Sequence, residues 1–324
     1  VHQRDVDVAL RVLDHLGRLG HLDGGRAVHG HVEDLRVSLG HAVEGGGVRG
    51  IAYAGALKLL EERGMMKGVT RVAGSSAGAF AALLLSLGYS SDGLRDALKA
   101  MNFKTLEDKP NPIRVATHYG LYKGEVLYDW IARQVTGLGL PETLTFAELA
   151  EEGKRGLHVF ATDLTIQNTR EFSAEATPDA SVVGAVRASM SIPLMYAAWQ
   201  FPDGKPNNHL YVDGGTVYNY PISAFDGNGE VTDQTLGFCF TRDTGQGAAH
   251  LELDNLFEFT KSLFATLLRA QTIDFDRDPE QVRRSVMIDD LGFKATDLGL
   301  SADNFDRLAR VGLRRRLAGH VSHQ

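Results

Sequence analysis

The sequence predicts an α/β fold of three layers, α/β/α, with a mostly parallel central sheet covered by helices. The main observation is a repeated pattern: an extended apolar stretch, a tight turn and a helical stretch occur twice between residues 37 and 87. A strand that leads through a helix into a parallel neighbour makes a right-handed crossover, and repeated crossovers build such a sheet. The composition agrees with this class, because 43% hydrophobic and 23% charged residues are typical of a globular protein.

The remaining elements follow from hydrophobic periodicity and from the turn residues between the periodic segments. We expect strands at residues 37–43, 69–73, 157–162, 209–212, 235–240 and 285–288. We expect helices at residues 51–63, 77–87, 124–135, 146–152, 180–188, 253–273 and 301–317. No internal repeat or low-complexity linker separates these elements, so one domain over residues 37–317 is predicted.

Two segments are predicted to lie outside this domain, an N-terminal extension (residues 1–36) and a C-terminal tail (318–324). Six of the twelve histidines fall within the first 41 residues, at His2, His15, His21, His29, His31 and His41. Their spacings match no metal-ligand pattern and no cysteine is near, so a peripheral or poorly ordered extension is favoured over a metal site.

Charge and hydropathy exclude several classes of protein. Lys and Arg number 34 against 41 Asp and Glu, so the net charge of −7 gives no reason to expect nucleic acid binding. The longest apolar run covers residues 77–85, far short of the roughly 20 residues of a transmembrane helix. No charged-then-apolar leader is visible, so we expect no signal peptide and a soluble protein, cytoplasmic or peripheral at a membrane. The single cysteine, Cys239, cannot form an internal disulfide.

The first chemical motif is the glycine cluster Glu44-Gly45-Gly46-Gly47-Val48-Arg49-Gly50, between a predicted strand and a predicted helix. Backbone N–H groups in such a turn are unobstructed by side chains and suit a negative oxygen. The letters also satisfy a dinucleotide-binding pattern, but the acidic residue expected about 20 positions later is missing, since the second strand runs into Gly74. Anion stabilisation is therefore favoured over nucleotide binding and over a purely structural turn.

The second motif is Gly74-Ser75-Ser76-Ala77-Gly78, a GxSxG sequence between a predicted strand and a predicted helix. That context is the one in which the central serine of GxSxG is exposed as a nucleophile. Ser76 is therefore the candidate nucleophile and Ser75 a bystander. The alternative is a serine that only caps the helix.

The base that would activate Ser76 is not obvious from the histidines. Those that follow it in the chain are His118, His158, His209, His250, His320 and His323, and none has a distinctive setting. Asp213 is the better candidate, since it ends a short apolar strand and precedes two glycines. Carboxyl ends of parallel strands line one crevice, where Ser76 and Asp213 could meet. Partial desolvation would have to raise the pKa of Asp213 from its usual value of about 3.9. A plain Asp-Gly-Gly turn is the alternative.

Taken in this order, the glycine cluster with Arg49, the motif around Ser76 and Asp213-Gly214-Gly215 resemble the patatin-like phospholipases. The resemblance covers about residues 37–317 and includes segments 160–164, 186–193 and, more loosely, 284–300. It implies a patatin-like fold and a serine-aspartate dyad without histidine, with no metal or organic cofactor. Residues 166–168 depart from the family, where relatives often have a glycine.

The resemblance also implies a role for each matched residue. Ser76 would attack an ester carbonyl and Asp213 would accept its proton. Backbone N–H groups of Gly45, Gly46 and Gly47 would hold the oxyanion, and Arg49 would support that loop or contact a lipid phosphate. Asp163 and Pro193 would be structural.

The predicted function is therefore that of a lipid acyl hydrolase of the phospholipase A type, which releases fatty acid through an acyl-serine intermediate. Two alternatives stay open, a serine hydrolase or acyltransferase with a histidine, and a non-catalytic lipid-binding protein of the same fold.

A lipid substrate is consistent with peripheral contact between the protein and a membrane. For the apolar stripe at 251–275, core packing is favoured over a lid on a bilayer, and for Arg314-Arg315-Arg316 a solvated helix end is favoured over headgroup contact.

Overall fold

A computed structural model of the chain describes residues 39–100, 108–227, 234–240, 254–293 and 301–311. Its strands are β1 (Leu39–Val43), β2 (Val69–Ser75), β3 (Gly120–Tyr122), β4 (Gly156–Asp163), β5 (Asn168–Phe172), β6 (Leu194–Tyr196), β7 (Tyr211–Val212), β8 (Thr235–Phe240) and β9 (Ser285–Ile288). Its α-helices are α1 (Ala52–Glu62), α2 (Ala77–Ser86), α3 (Ser91–Ala100), α4 (Pro112–His118), α5 (Glu125–Thr136), α6 (Phe146–Glu151), α7 (Val182–Ser189), α8 (Leu256–Arg277), α9 (Pro279–Arg283) and α10 (Ala302–Val311).

Within the described residues the central sheet has seven strands in the order β5-β4-β2-β1-β8-β9, with β7 beside β4. The pairs β1–β2, β2–β4, β1–β8 and β8–β9 are parallel. The pairs β4–β5 and β4–β7 are antiparallel. The predicted α/β class with a mostly parallel sheet is thus confirmed. Strands β3 and β6 form a separate parallel pair.

Both faces of the sheet are buried, because adjacent residues of one strand belong to different core clusters. Val72 and Val159 lie in the main cluster, whereas their neighbours Ala73 and Phe160 pack with Phe225 in another. Side chains alternate between the two faces of a strand, so these clusters lie on opposite sides of the sheet. In a parallel sheet covered on both faces, functional residues lie chiefly at the ends of the strands.

Most predicted elements are present with shifted ends. The largest shift is in α8, which continues past the predicted end at residue 273 to Arg277. Strand β7 contains only Tyr211–Val212 instead of residues 209–212. Helix α10 is described to Val311, and residues 312–317 of that prediction lie outside the described residues. Six elements were not predicted: α3, α4, β3, β5, β6 and α9. Several of these are short, and short elements give too few turns or alternations for a periodic signal.

Local capping explains where several helices begin. Thr145 and Glu148 form a reciprocal capping box at the start of α6. The side chain of Asn255 accepts the N–H of Glu258 at the start of α8, and Asn111 does the same for Ile113 in α4. These caps satisfy N–H groups that have no partner within the first helical turn.

Helix α8 divides its apolar residues between two faces. Phe264 and Phe275 are buried, whereas Leu256, Phe259 and Leu263 are exposed. The predicted core packing is therefore correct for one face only, and residues 251–253 of the predicted stripe lie outside the described residues.

Among the helices that the structure describes, none combines the length and the hydrophobicity that crossing a membrane requires. The predicted division at residues 36 and 317 stays a prediction, since residues 1–38 and 312–324, with Arg314-Arg315-Arg316, lie outside the described residues.

Candidate active site

Ser76 lies at the turn that joins strand β2 to helix α2. Its backbone has φ 53° and ψ −127°, a conformation that residues with a side chain rarely adopt. The flanking glycines make this turn possible, as the motif predicts. A methyl group on Gly74 would lie 2.1 Å from the carbonyl oxygen of Gly78, and one on Gly78 would lie 2.3 Å from that of Val43. No other residue type fits either position without backbone movement.

A second serine holds the strained turn. The N–H of Ser76 donates to Oγ of Ser189 at 2.8 Å, and the Ser189 hydroxyl donates to the carbonyl oxygen of Phe160 at 2.5 Å. Ser189 is fully buried at the end of α7. Ser189 belongs to the segment 186–193 that resembles the family, but no role for it was predicted. No local pattern connects it with Ser76, which lies 113 positions away.

The Ser76 hydroxyl donates a hydrogen bond to Oδ2 of Asp213 at 2.7 Å, across 137 residues of sequence. Ser76 is 7% exposed and Asp213 is fully buried. The two residues meet as expected, but by a different route. The expectation was that both follow parallel strands whose carboxyl ends share one crevice. Asp213 follows β7, which runs antiparallel to β4, with Tyr211 opposite Asp163 and Val212 opposite Thr162. Strand β7 therefore enters at the carboxyl end of β4 and brings Asp213 back toward Ser76.

Asp213 is held on every side by hydrogen bonds. Its Oδ1 accepts the N–H of Gly215 at 2.8 Å. Its own N–H donates to the carbonyl oxygen of Ser191 at 2.8 Å, and its carbonyl oxygen accepts the hydroxyl of Thr162 at 3.0 Å. Burial raises the pKa of Asp213 to about 7, although the hydrogen bonds from Ser76 and Gly215 lower it. A carboxyl with this pKa is suited to proton transfer near neutral pH.

The glycine cluster lies beside the Ser76 turn. Val43 pairs with Gly74 at the end of β1 and β2, and a methyl group on Gly45 would lie 3.1 Å from Cβ of Ser76. The three predicted oxyanion donors are nevertheless not equivalent. The N–H of Gly45 donates to the carbonyl oxygen of Asn219 at 2.9 Å, so it already has a partner, and its role as an oxyanion donor stays a prediction. Gly46 and Gly47 have no backbone N–H hydrogen bond within the described part of the chain.

Arg49 is turned toward protein groups. Its Nη1 forms an ion pair with Oδ2 of Asp290 at 3.0 Å, and its Nε donates to the carbonyl oxygen of Gly46 at 3.4 Å. The guanidinium also lies 4.4 Å from the ring centre of Phe240. These contacts favour support of the glycine loop over contact with a lipid phosphate, the other role considered for Arg49.

The histidines considered as bases have other partners. His118 contacts Thr117, His158 contacts Glu171 and His209 contacts Asp163, at 2.8, 2.8 and 2.7 Å. His250, His320 and His323 lie outside the described residues. Across the described ranges, no histidine is hydrogen-bonded to Ser76.

Asp163 organises the loop after β4. Its Oδ1 accepts the N–H groups of Thr165 at 3.0 Å and Ile166 at 3.3 Å, and its Oδ2 contacts Nδ1 of His209 at 2.7 Å. Gln167, within the departure from the family pattern, has a left-handed φ of 57°. A glycine would adopt this conformation without strain, so the departure from the family pattern coincides with local backbone strain in this loop. No group of three or more metal-ligating side chains is present in the ranges the structure describes.

Known proteins are similar to this chain in sequence and in fold. The family model of the patatin-like phospholipases matches residues 42–226, more than half of the chain. The uncharacterized protein R571 of Acanthamoeba polyphaga mimivirus is 29% identical over 72% of this chain and 76% of its own length. A probable lipid hydrolase, 463L of Invertebrate iridescent virus 6, is 28% identical over 56% of this chain and 60% of its own.

Among solved structures, VipD from Legionella pneumophila has a similar fold, with a TM-score of 0.54 and 17% identity. The match covers 85% of this chain and 65% of VipD, so the chain spans slightly less than two thirds of that protein.

Proposed function

The chain belongs to the patatin-like phospholipase family, and from this premise we propose that it hydrolyses fatty-acyl esters of lipids with Ser76 as nucleophile and Asp213 as base. The observation that supports these roles is the 2.7 Å hydrogen bond between the Ser76 hydroxyl and a fully buried carboxylate. A serine hydroxyl needs a base to become a nucleophile, and a base must lie within hydrogen-bond reach of the proton that it accepts.

The proposed reaction has two steps. Oγ of Ser76 attacks the ester carbonyl carbon while Oδ2 of Asp213 takes the hydroxyl proton, and the leaving alcohol then receives that proton as the acyl-serine forms. Water next attacks the acyl-serine and gives a proton to Asp213. Collapse of the second tetrahedral intermediate releases the fatty acid and returns the proton to Ser76. In both steps the carbonyl oxygen becomes negative, and the uncommitted amides of Gly46 and Gly47 are suited to stabilise it.

The proposed function is tested with purified protein and a panel of phospholipids, lysophospholipids, glycolipids and neutral glycerides. Labelling with a fluorophosphonate probe, followed by peptide mapping, identifies the reactive residue. Hydrolysis of at least one lipid class with the label on Ser76 is the expected result. Absence of both hydrolysis and labelling would instead favour a non-catalytic lipid-binding protein. Single His→Ala variants test the alternative that a histidine serves as base.

Activity should depend on pH through Asp213. Burial raises the pKa of its carboxyl to about 7, and only the deprotonated carboxylate accepts a proton. We therefore expect kcat/KM on a water-soluble ester to rise about tenfold per pH unit well below pH 7 and to level off above it. Initial rates between pH 5 and 9 measure this profile. A profile that is flat across this range would contradict the assignment of Asp213 as base.

We propose that the protein contacts a bilayer with the outer face of α8 and takes its lipid substrate from that surface. The inner face of this helix contacts the catalytic turn, since a methyl group on Gly215 would lie 3.0 Å from Leu268. On the outer face, Leu256, Phe259 and Leu263 are 55%, 48% and 47% exposed. Their spacing of three and four residues places them on one side of the helix. An exposed apolar stripe on a helix that touches the active-site turn fits a lipid surface.

Removal of apolar surface from this face should weaken vesicle binding. We expect Phe259→Ser with Leu263→Ser to reduce sedimentation with phosphatidylcholine vesicles about tenfold or more, because each side chain contributes about 1 to 3 kcal/mol when buried. Hydrolysis of a water-soluble ester should not change. Leu138→Ser is the matched control, since Leu138 is also 47% exposed but lies outside α8. Equal losses in both variants would contradict docking through α8.

A further inference from the structure

Three polar side chains connect the glycine cluster, the Asp213 turn and helix α8. They are Glu44, Asn219 and Gln271, and the mechanism above uses none of them. Glu44 and Asn219 are each 4% exposed. Buried polar groups are costly unless hydrogen-bonded, so a connected set of them beside an active site indicates a defined purpose.

Asn219 binds both backbone polar groups of Gly45. Its main-chain carbonyl oxygen accepts the N–H of Gly45 at 2.9 Å, and its side-chain Nδ2 donates to the carbonyl oxygen of Gly45 at 3.1 Å. The same Nδ2 donates to Oε1 of Glu44 at 3.0 Å. Gly45 therefore has no freedom to rotate its peptide groups, and Gly46 and Gly47 follow directly from it.

Glu44 joins this arrangement to the sheet. Its Oε2 accepts the N–H of Phe240 at 2.8 Å, and its own N–H donates to the carbonyl oxygen of Phe238 at 3.0 Å. Both partners belong to β8, next to β1. The residue that precedes the glycines is thus bound to a rigid strand.

Gln271 joins Asn219 to the catalytic turn from helix α8. Its Oε1 accepts the N–H of Asn219 at 2.7 Å, and its Nε2 donates to the carbonyl oxygen of Gly215 at 2.7 Å. Gly215 is the residue whose N–H donates to Asp213. One side-chain amide therefore fixes two points of the segment after β7, the Asp213 turn at Gly215 and Asn219, and Asn219 in turn holds Gly45.

We infer that Asn219 and Gln271 are positioning residues for the proposed oxyanion loop, Asn219 by holding Gly45 and Gln271 by fixing Asn219 to the Asp213 turn. This inference rests on the proposed function. Oxyanion donors stabilise a transition state only where they already face the developing charge, so a small displacement of the loop lowers the rate. Substrate binding, which depends on the acyl chain, should change much less.

The test compares wild-type protein with Gln271→Met, which keeps the side-chain size and removes the side chain's three hydrogen bonds, those with Asn219 and Gly215 and the one within α8 to the carbonyl oxygen of Leu267. We expect kcat on a water-soluble ester to fall about tenfold with KM changed less than about twofold. A trifluoromethyl ketone analogue of the ester provides a second readout, because its tetrahedral adduct with Ser76 carries an oxyanion. Its inhibition constant should rise by the same factor as kcat/KM falls.

Controls separate positioning from loss of structure. Gln271→Asn, which keeps the amide but withdraws it by one methylene, should change the same quantities in the same direction. Thr266 is exposed on the same helix, and its hydroxyl donates to the carbonyl oxygen of Ser262. The control variant Thr266→Val should have the kcat, KM and inhibition constant of the wild-type protein. Unchanged kcat in both Gln271 variants, or a fall in kcat/KM without a weaker ketone adduct, would overturn the inference. Failure of the wild-type protein to hydrolyse any ester would instead reject the proposed function.

Discussion

Ser76→Ala should abolish ester hydrolysis, with kcat reduced at least about 10⁴-fold, and should leave the fold intact. The reason is that the hydroxyl is the only group of Ser76 that the proposed reaction uses. The backbone of the turn is held by Ser189 through the N–H of residue 76, which alanine keeps. The measurements are the hydrolysis rate on the most active lipid and fluorophosphonate labelling, with circular dichroism to verify folding.

Ser75→Ala is the matched control for this variant. Ser75 is the adjacent residue, fully buried, and its hydroxyl has no hydrogen-bond partner among the residues that the structure describes. Removal of an unsatisfied buried hydroxyl should be neutral or slightly stabilising and should leave kcat unchanged. Hydrolysis by Ser76→Ala at the wild-type rate would reject Ser76 as the nucleophile.

Asp213→Asn should lower kcat by about 10² to 10⁴, the usual contribution of a general base. Asparagine can still accept the N–H of Gly215, but its amide cannot take the proton of Ser76. The acid limb of the pH profile should disappear together with the activity. A small effect on kcat would point to a histidine as base and would renew the case for a conventional triad.

The same substitution should stabilise the folded protein at pH 8. The pKa of Asp213 is raised to about 7 in the folded state, against its ordinary value of 3.8, so the folded state binds this proton more tightly than the unfolded state. Wild-type stability should therefore fall as pH rises from about 4 to 7, by up to about 1.4 kcal/mol per unit. Stability of Asp213→Asn should not fall in this way, because the asparagine side chain does not titrate. Urea unfolding at pH 5 and pH 8 should show a larger advantage for the variant at pH 8.

Much of the fold was predictable because its signals are short-range. Strand and helix alternate twice between residues 39 and 86, so the pattern is complete within a short stretch of sequence. The apolar runs of β2, β4 and β8 are long enough to detect. Strands β3 and β6, which were not predicted, contain three residues each, too few for a period. Their existence depends on pairing with distant strands, which no local pattern records.

The candidate site was predictable to different degrees. Ser76 lies two positions from a glycine on each side, and Asp213 directly precedes two glycines. Each follows a strand, so each is visible as a motif. Ser189, Asn219 and Gln271 are isolated polar residues in helices or loops, and their partners lie 52 to 174 residues away. The engagement of Gly45 by Asn219 could not be read from three adjacent glycines that look alike.

Local sequence was sufficient for the α/β class and for a serine at a strand-to-helix turn, because those properties depend on neighbours within a few residues. Packing of distant segments was required to bring Ser76 and Asp213 together as a hydrogen-bonded pair. The antiparallel entry of β7 sets their 2.7 Å separation, and full burial of Asp213 raises its pKa to about 7. Distance and desolvation are properties of the assembled interior, so they exist only once strands far apart in the chain lie side by side.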